Sequence, residues 1–168
     1  KKGQAQGAII VYEDEASFRQ TPTPRQTWAP SGSQPQIPTH GRRNTQKILG
    51  AASLYDGAFA YRRRAETFNA ETYVDFLETV LLSTLTKLGR RVYLIQDNAS
   101  YHKKPEAHER FSANRKKLEV FLLGPHSPEL NAIERLWHRA RMEATHNRAF
   151  DAKEELCNSP SDGFGEIK

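Results

Sequence analysis

Acidic residues stand directly after two short apolar segments of the sequence. The letters AIIV at 8–11 are followed by YEDE, and the letters VYLI at 92–95 are followed by Gln96 and Asp97. Short unbroken apolar segments are typical of strands that are buried on both faces. If these strands are parallel neighbours, their carboxyl ends meet at one edge of a sheet, which is where sites usually lie. The sequence therefore predicts that Asp97 lies beside one of the first acids.

The alternation of side chains along a strand separates the three acids that follow the first segment. Successive side chains point to opposite faces, so Asp14 shares a face with Tyr12, while Glu13 and Glu15 share the other face. Asp14 and Asp97 are therefore the pair predicted to emerge together at one end of the sheet. Glu13 is predicted to be a bystander, and Glu15 either a supporting acid or a solvated strand-end residue.

A third carboxylate is predicted from the last helix of the sequence. An apolar stripe with helical spacing runs through residues 128–146. It consists of Leu130, Ile133, Trp137, Ala140 and Ala144. Glu134 follows Ile133 and so lies at the edge of this core-facing stripe. Three carboxylates from distant parts of the sequence, those of Asp14, Asp97 and Glu134, could therefore converge.

Such a carboxylate cluster is chemically suited to a metal ion. Like charges held close together repel, and one of them takes up a proton unless a cation neutralises them. Mg²⁺ prefers oxygen ligands and is typically bound by one or two carboxylates together with water and substrate phosphate. Two such ions can activate an attacking hydroxyl and stabilise the leaving oxygen in phosphoryl transfer. The three acids are therefore compatible with metal-dependent chemistry on phosphate esters, but spacing alone does not establish a metal site, because three acids can be picked from any chain.

The predicted elements that position these acids alternate between strands and helices. Buried strands are predicted at 9–12, 92–95 and 120–123, hairpin strands at 47–55 and 58–68, and helices at 70–88, 105–117 and 128–146. Asp56 and Gly57 are a strong signal for a two-residue hairpin loop, and Asn69 is placed to cap the first helix. The Pro-rich segment around Trp28 predicts a loop with an irregular hairpin, and residues 158–165 predict an irregular tail. A meander that leads into βαβ crossovers predicts an α/β fold, in which helices cover a mixed sheet.

The composition bounds the class of protein. The 168 residues suffice for one domain of ordinary size, and a hydrophobic content of 37% provides material for a core. A formal net charge of +5 favours a polyanionic partner. Cys157 is the single cysteine, which excludes an internal disulfide and indicates a reducing compartment. Trp28 and Trp137 are predicted to be packing residues. No apolar segment approaches the roughly 20 residues needed to span a bilayer, so no membrane partner is predicted.

Four segments of the sequence, three of which contain these acids, resemble the DDE transposases of bacterial insertion sequences related to the mariner group. They are YEDEASF at 12–18, TWAPSG at 27–32, LIQDNASYH at 94–102 and LLGPHSPELNAIERLW at 122–137. The resemblance extends from about residue 8 to residue 145. The sequence departs from the family in GPHSP, where two prolines and an aromatic residue are more common, and in Ala132, where proline is common. Neither departure touches one of the three acids.

The resemblance implies an RNase H-like fold, in which a mixed five-stranded sheet is flanked by helices. It implies that Asp14, Asp97 and Glu134 are the catalytic residues and bind two Mg²⁺ or Mn²⁺ ions. The implied activity is metal-dependent cleavage and strand transfer at transposon ends. The implied partners are double-stranded DNA, both of the ends and of the target, and a second copy of the chain in a homodimer on DNA.

The resemblance also implies a domain organisation and a location. Residues 1–150 are expected to form the catalytic domain, and residues 151–168 a C-terminal tail. The helix-turn-helix region that recognises the element ends is expected to lie outside this chain. A cytoplasmic location is expected, with association with the nucleoid if the source is bacterial.

Several residues near the acids are candidates for supporting roles. Asn98 and His102 could position DNA or a water molecule near Asp97, or could instead cap a helix or lie on the surface. Asn131 could touch the substrate, although it is better placed to anchor the start of a helix. The candidate DNA contacts are Lys103, Lys104 and His126.

Two other functions are compatible with the same residues. An RNase H-like nuclease would use the same three acids to hydrolyse nucleic acid without strand transfer. A non-catalytic DNA-binding remnant of a transposase is the other alternative, and the presence of all three acids argues against it. Only the reaction products distinguish the transposase from the nuclease.

Overall fold

The computed structural model describes residues 7–39, 41–64, 67–82, 90–125 and 127–166. The contacts between residues divide the chain into two units. The first unit consists of Lys1–Ala16 and Lys47–Glu134, and the second of Ser17–Gln46 and Arg135–Lys168. All three predicted acids belong to the first unit. Among the described residues, no helix is long and apolar enough to cross a membrane.

Five strands form one mixed sheet. They are β1 (Ile9–Arg19), β2 (Thr45–Ser53), β3 (Phe59–Arg64), β4 (Val92–Gln96) and β5 (Leu118–Leu122). Their order across the sheet is β3-β2-β1-β4-β5. β2 and β3 are antiparallel, whereas β4 is parallel to both β1 and β5. The predicted mixed sheet is confirmed.

The pairing of β1 with β4 determines which acids lie side by side at the end of the two strands. The two strands are parallel, and their register pairs Tyr12 with Ile95. Continued for two residues, the same register brings Asp14 level with Asp97. β1 itself extends to Arg19, far beyond the apolar residues that predicted it. Its three acids therefore belong to the strand and not to a turn.

The helices predicted at 105–117 and 128–146 are shorter in the structure than the sequence pattern predicts. The helical segments are α1 (Ala70–Phe76), which continues as a π-helical segment (Leu77–Leu82), a 3₁₀ segment (Ser100–Lys103), α2 (Pro105–Ala113), a second 3₁₀ segment (Pro128–Leu130), α3 (Ile133–Ala144) and α4 (Lys153–Glu166). The predicted continuation of the first helix over 83–88 lies outside the described residues. The helix predicted from residue 128 begins at Ile133 because the backbone of Asn131 is extended. Leu130 is consequently exposed and does not belong to the buried stripe.

The hairpin between β2 and β3 lies where it was predicted, but its loop is longer than two residues. The loop spans residues 54–58. Gly57 has a φ of +71°, a left-handed conformation that glycine adopts without strain. The carboxylate of Asp56 accepts a hydrogen bond from the N–H of Ala58 at 3.1 Å. The turn residues were thus recognised correctly, while the length of the loop was not.

Asn69 caps α1, as the sequence predicts. Its side-chain oxygen accepts a hydrogen bond from the N–H of Thr72 at 2.8 Å, and the Thr72 hydroxyl accepts one from the N–H of Asn69 at 3.1 Å. We expect Asn69→Ala to lower the free energy of unfolding by about 1 kcal/mol, because it leaves a helix N–H without its acceptor. Urea denaturation measures the change. Asn69→Asp keeps the acceptor and is the control, so equal losses in both variants would contradict the prediction.

The core of the first unit joins apolar residues of β1, β2, β4 and β5 to α1, the π-helical segment and α2. Its members are Ile9, Val11, Leu49, Ala51, Tyr73, Phe76, Leu77, Leu81, Val92, Leu94, Ala107 and Leu118. Because side chains alternate along β1, the next residue on the face of Ile9 and Val11 is Glu13. β5 was predicted to be buried on both faces. Phe121 and Leu122 are nevertheless exposed, because β5 is an edge strand of the sheet.

The second unit has its own buried aromatic residues. Trp137 is fully buried and packs edge-to-face on Phe18, with a distance of 6.4 Å between ring centroids. Its predicted packing role is confirmed. Trp28, in contrast, is 100% exposed, so its predicted packing role is wrong. Residues 24–30 form no strand, so the predicted loop is confirmed and the irregular hairpin predicted around Trp28 is absent there.

The tail that was predicted to be irregular forms most of α4. This helix includes all of residues 158–165. Leu156 is fully buried, and the hydroxyl of Ser159 donates a hydrogen bond to the carbonyl of Ala144 at 2.8 Å. These contacts outweigh the low helix propensity of the Gly and Pro residues in this segment.

Candidate active site

The three predicted acids line one cavity of the first unit. Asp14, Asp97 and Glu134 border a volume of about 390 Å³. The rest of the wall comes from Asn98, Ala99, Leu123, Gly124, Pro125, Ser127, Pro128 and Asn131. Most of these residues follow directly on β4 or β5. The cavity therefore lies at the carboxyl ends of parallel strands, where α/β proteins commonly bind their ligands.

Each of the three acids is positioned by a different element. Asp14 lies within β1 and is 8% exposed. Asp97 follows the last residue of β4, and its side chain is half-buried. Glu134 lies in the first turn of α3, where its N–H donates a hydrogen bond to the carbonyl of Asn131 at 3.1 Å. The fold thus brings together three carboxylates that are far apart in the sequence.

Among the described residues, Glu15 and not Glu134 forms a close carboxylate cluster with Asp14 and Asp97. Single carboxylate oxygens of Asp14, Glu15 and Asp97 all lie within 4.8 Å of one another. This place agrees with the supporting role for Glu15 and not with a solvated strand-end residue, while the prediction that strand alternation separates Glu15 from Asp14 is wrong. The reason lies in β1, where Glu13 and Asp14 are buried in succession. The alternation between buried and less buried residues along β1 is therefore interrupted at Glu13 and Asp14.

Burial and mutual repulsion raise the pKa of two carboxyls in the cluster. Burial, with the nearby charges of Glu134 and Asp97, raises the pKa of Asp14 to about 6. Burial, with the charges of Asp14 and Asp97, raises the pKa of Glu15 to about 8. Because their ionised form is unfavourable, these carboxylates tend to bind either a proton or a cation. Clustered carboxylate oxygens are also the ligands that Mg²⁺ and Mn²⁺ prefer, so the residues fit a divalent cation.

Asp97 differs from its neighbours because two hydrogen bonds stabilise its charge. Its Oδ1 lies 3.1 Å from Nδ1 of His102 and accepts a hydrogen bond from the N–H of Ala99 at 2.8 Å. The hydrogen bond from His102 is the main cause that lowers the pKa of Asp97, and the Ala99 N–H adds to it. Asp97 is therefore the acid of the cluster that stays ionised most readily.

His102 and Glu13 are both buried beside Asp97. His102 is 1% exposed, so the alternative that it lies on the surface is wrong. Glu13 is fully buried, and its Oε2 lies 3.5 Å from Nε2 of His102. Burial is the main cause that raises the pKa of Glu13 well above its usual value, and the charges of neighbouring acids raise it further. Glu13 was predicted to be a bystander, although its place on the inward face of β1, after Ile9 and Val11, was visible in the sequence.

The remaining candidates fall into three groups. Asn98 and Asn131 line the cavity, and Asn131 is 4% exposed. Lys103 and Lys104 are exposed at the end of the 3₁₀ segment that follows β4. His126 lies outside the described residues.

The sequence matches one family over most of its length. Residues 9–157 match the family described as DDE superfamily endonuclease. A comparison with curated proteins gives no match. The family match agrees with the sequence motifs that surround Asp14, Asp97 and Glu134.

Solved structures of Mos1 transposase share the fold. The catalytic domain of Mos1 mariner transposase is 18% identical, with a TM-score of 0.67 over 99% of this chain and 76% of that chain. The Mos1 transposase paired-end complex with left transposon end is 17% identical, with a TM-score of 0.68 over 99% of this chain and 51% of that chain. The mariner Mos1 paired-end complex with Mg is 22% identical, with a TM-score of 0.67 over 93% and 48%.

This chain spans about half the length of the transposase chains in those complexes. At these identities the likeness establishes the fold, and the predicted RNase H-like mixed sheet flanked by helices is confirmed. The match over residues 9–157 shows that the chain belongs to the DDE superfamily of endonucleases.

Proposed function

We propose that residues 1–150 are the catalytic domain of a DDE transposase that cleaves DNA at transposon ends and joins the freed 3′-hydroxyl ends to target DNA. The observation that carries the proposal is the convergence of Asp14, Asp97 and Glu134 on one cavity. Family membership supports strand cleavage by this site. Strand transfer uses the same chemistry, with a DNA hydroxyl in place of water as the attacking group.

Asp14, Asp97 and Glu134 would hold two Mg²⁺ or Mn²⁺ ions, and Glu15 is close enough to contribute an oxygen. When bound, such ions neutralise charge on the attacking and leaving oxygens of an in-line displacement. Related structures support this choice of metal, since two Mos1 paired-end complexes are described with Mn and with Mg. The clustered carboxylate oxygens of this chain match that preference.

The other residues of the cavity would orient the DNA. The side-chain amides of Asn98 and Asn131 border the cavity and can donate hydrogen bonds to phosphate oxygens. Lys103 and Lys104 are exposed close to Asp97 in sequence and would contact the DNA backbone, in line with the net charge of +5. The partner would be double-stranded DNA bound by a homodimer, and a similar structure is described as a paired-end complex with a transposon end.

A strand-joining assay tests this function. The chain is incubated with Mn²⁺, a plasmid and a labelled duplex that ends in a 3′-hydroxyl, and labelled plasmid is the expected product. The same duplex with a 3′-deoxy end is the control, because it cannot supply the attacking hydroxyl. Cleavage without joining would instead support the nuclease, which the family description also accommodates. DNA binding without cleavage or joining would support the non-catalytic remnant.

A further inference from the structure

Glu13 and His102 are buried beside Asp97 but do not line the cavity. We propose that they act as a positioning pair: Glu13 fixes the imidazole of His102, and His102 fixes the carboxylate of Asp97 for the cation. The inference rests on the proposed function, because it concerns the same carboxylate. It adds two residues that would act through Asp97 without touching the substrate.

The imidazole ring of His102 bridges two carboxylates. Nδ1 lies 3.1 Å from Oδ1 of Asp97 and 3.2 Å from the backbone carbonyl oxygen of the same residue, and Nε2 lies 3.5 Å from Oε2 of Glu13. Both hydrogen-bonding contacts of the Asp97 carboxylate, from His102 and from the N–H of Ala99, go to the same oxygen. Oδ1 is thereby held in place, which leaves Oδ2 for a cation. An ionised carboxylate only accepts hydrogen bonds, so His102 must present a proton on Nδ1.

Aromatic side chains hold the ring of His102 in its place. The ring centroids of Tyr73 and Tyr101 lie 4.4 Å and 4.5 Å from that of His102. The hydroxyl of Tyr73 is itself engaged, because it donates a hydrogen bond to Gln96. With both tyrosines packed on the ring, Glu13 approaches Nε2 at an ion-pair distance of 3.5 Å, and neither this nitrogen nor either oxygen of Glu13 has a hydrogen-bond partner among the described residues. A ligand held by such outer partners binds its metal more tightly than a ligand that rotates freely.

Stability alone does not explain a glutamate at position 13. Ile9 and Val11 precede it on the same inward face of β1 and belong to the core. Neither carboxylate oxygen of Glu13 has a partner in hydrogen-bonding geometry among the described residues. A buried polar group without such partners destabilises a protein, and an apolar residue of similar volume is often the more stable choice. Glu13 therefore destabilises the fold, and its contact with His102 gives it a role in positioning Asp97.

The test compares Mn²⁺ affinity with stability in the same variants. Glu13→Leu keeps the volume and removes the polar contact. We expect it to raise the Kd for Mn²⁺ by about 10–100-fold, the range found for outer partners of metal ligands. In EDTA we expect its Tm to equal or exceed that of the parent chain. Titration followed by the electron paramagnetic resonance of free Mn²⁺ measures the Kd. Glu13→Gln keeps a group that can hydrogen bond to Nε2 and is expected to restore most of the affinity.

A double-mutant cycle shows whether Glu13 acts through His102. His102→Phe is expected to weaken Mn²⁺ binding, and adding Glu13→Leu to it should cause no further loss, since contacting residues that act as one unit are not additive. Glu109→Leu makes the same substitution at an exposed position on α2 and should leave the Kd unchanged.

Three results would overturn the inference. They are an unchanged Kd in Glu13→Leu, additive losses in the double variant, and a loss of Tm that parallels every loss of affinity. All three assume that the parent chain binds Mn²⁺. If the parent chain bound no Mn²⁺, the inference and the proposed function would fail together.

Discussion

The Asp97→Asn variant is expected to fold normally and to lose metal-dependent strand cleavage. The amide that replaces the carboxylate would keep an oxygen that can accept the hydrogen bonds from Ala99 and His102, so the local structure is preserved. It would lack the negative charge that those two hydrogen bonds stabilise in Asp97. Loss of an outer partner of a metal ligand costs about 10–100-fold in activity, and loss of a direct ligand should exceed that range.

Cleavage of a labelled transposon-end duplex in Mn²⁺ measures this effect, with near-ultraviolet circular dichroism to confirm the fold. Asp56→Asn in the β2–β3 loop makes the same chemical change outside the site, and it should cleave like the parent chain. If Asp97→Asn cleaved at the parental rate, Asp97 would not be a metal ligand and the proposed site would be wrong.

The second large effect is on the stability of the metal-free chain. Its free energy of unfolding is expected to decrease as the pH rises. The pKa of Asp14 is about 6 in the folded chain against an ordinary value of 3.8, and that of Glu15 is about 8 against 4.5. Between these values the folded state binds more protons than the unfolded state, so the free energy of unfolding decreases with rising pH. For Asp14 alone, a rise in pKa from 3.8 to about 6 corresponds to a loss on the order of 3 kcal/mol. The loss develops between about pH 4 and pH 8.

Urea denaturation in EDTA at pH 5 and pH 8 measures this loss. Glu15→Gln removes one of the two groups and one of the repelling charges, so its stability should depend less on pH than that of the parent chain. Mn²⁺ should restore stability mainly at pH 8, because there a cation takes the place of the missing protons. A parent chain and a Glu15→Gln variant with identical pH dependence would contradict the prediction.

Local signals predicted several parts of the fold correctly. Asn69 marks the start of α1, and Asp56 with Gly57 marks the β2–β3 turn, because capping and turn formation depend on a few neighbouring residues. Two short apolar segments predicted β1 and β4 as strands, and their parallel pairing, which was assumed from the α/β plan, is present in the structure. That pairing brings Asp14 level with Asp97, which is why two acids of the cavity could be named from the pattern alone.

Other parts depended on contacts that local patterns do not contain. Trp28 is exposed and Trp137 is buried, although both are large aromatic residues. Residues 158–165 look irregular by composition, yet they form a helix. In each case the outcome depends on which distant residues pack against the segment, and tertiary packing overrides local preference.

The sequence by itself determined the order of the elements as far as α3, the family and the three acids at the cavity, because apolar segments, turn residues and family motifs are each formed by neighbouring residues. Only the tertiary structure decided what surrounds those acids. Glu15 lies within 4.8 Å of Asp14 and Asp97, and Glu13 is buried against His102. The reason is that β1 extends past its apolar residues and includes all three acids. Burial and neighbouring charges, which exist only in the folded chain, therefore raise the pKa of each of them.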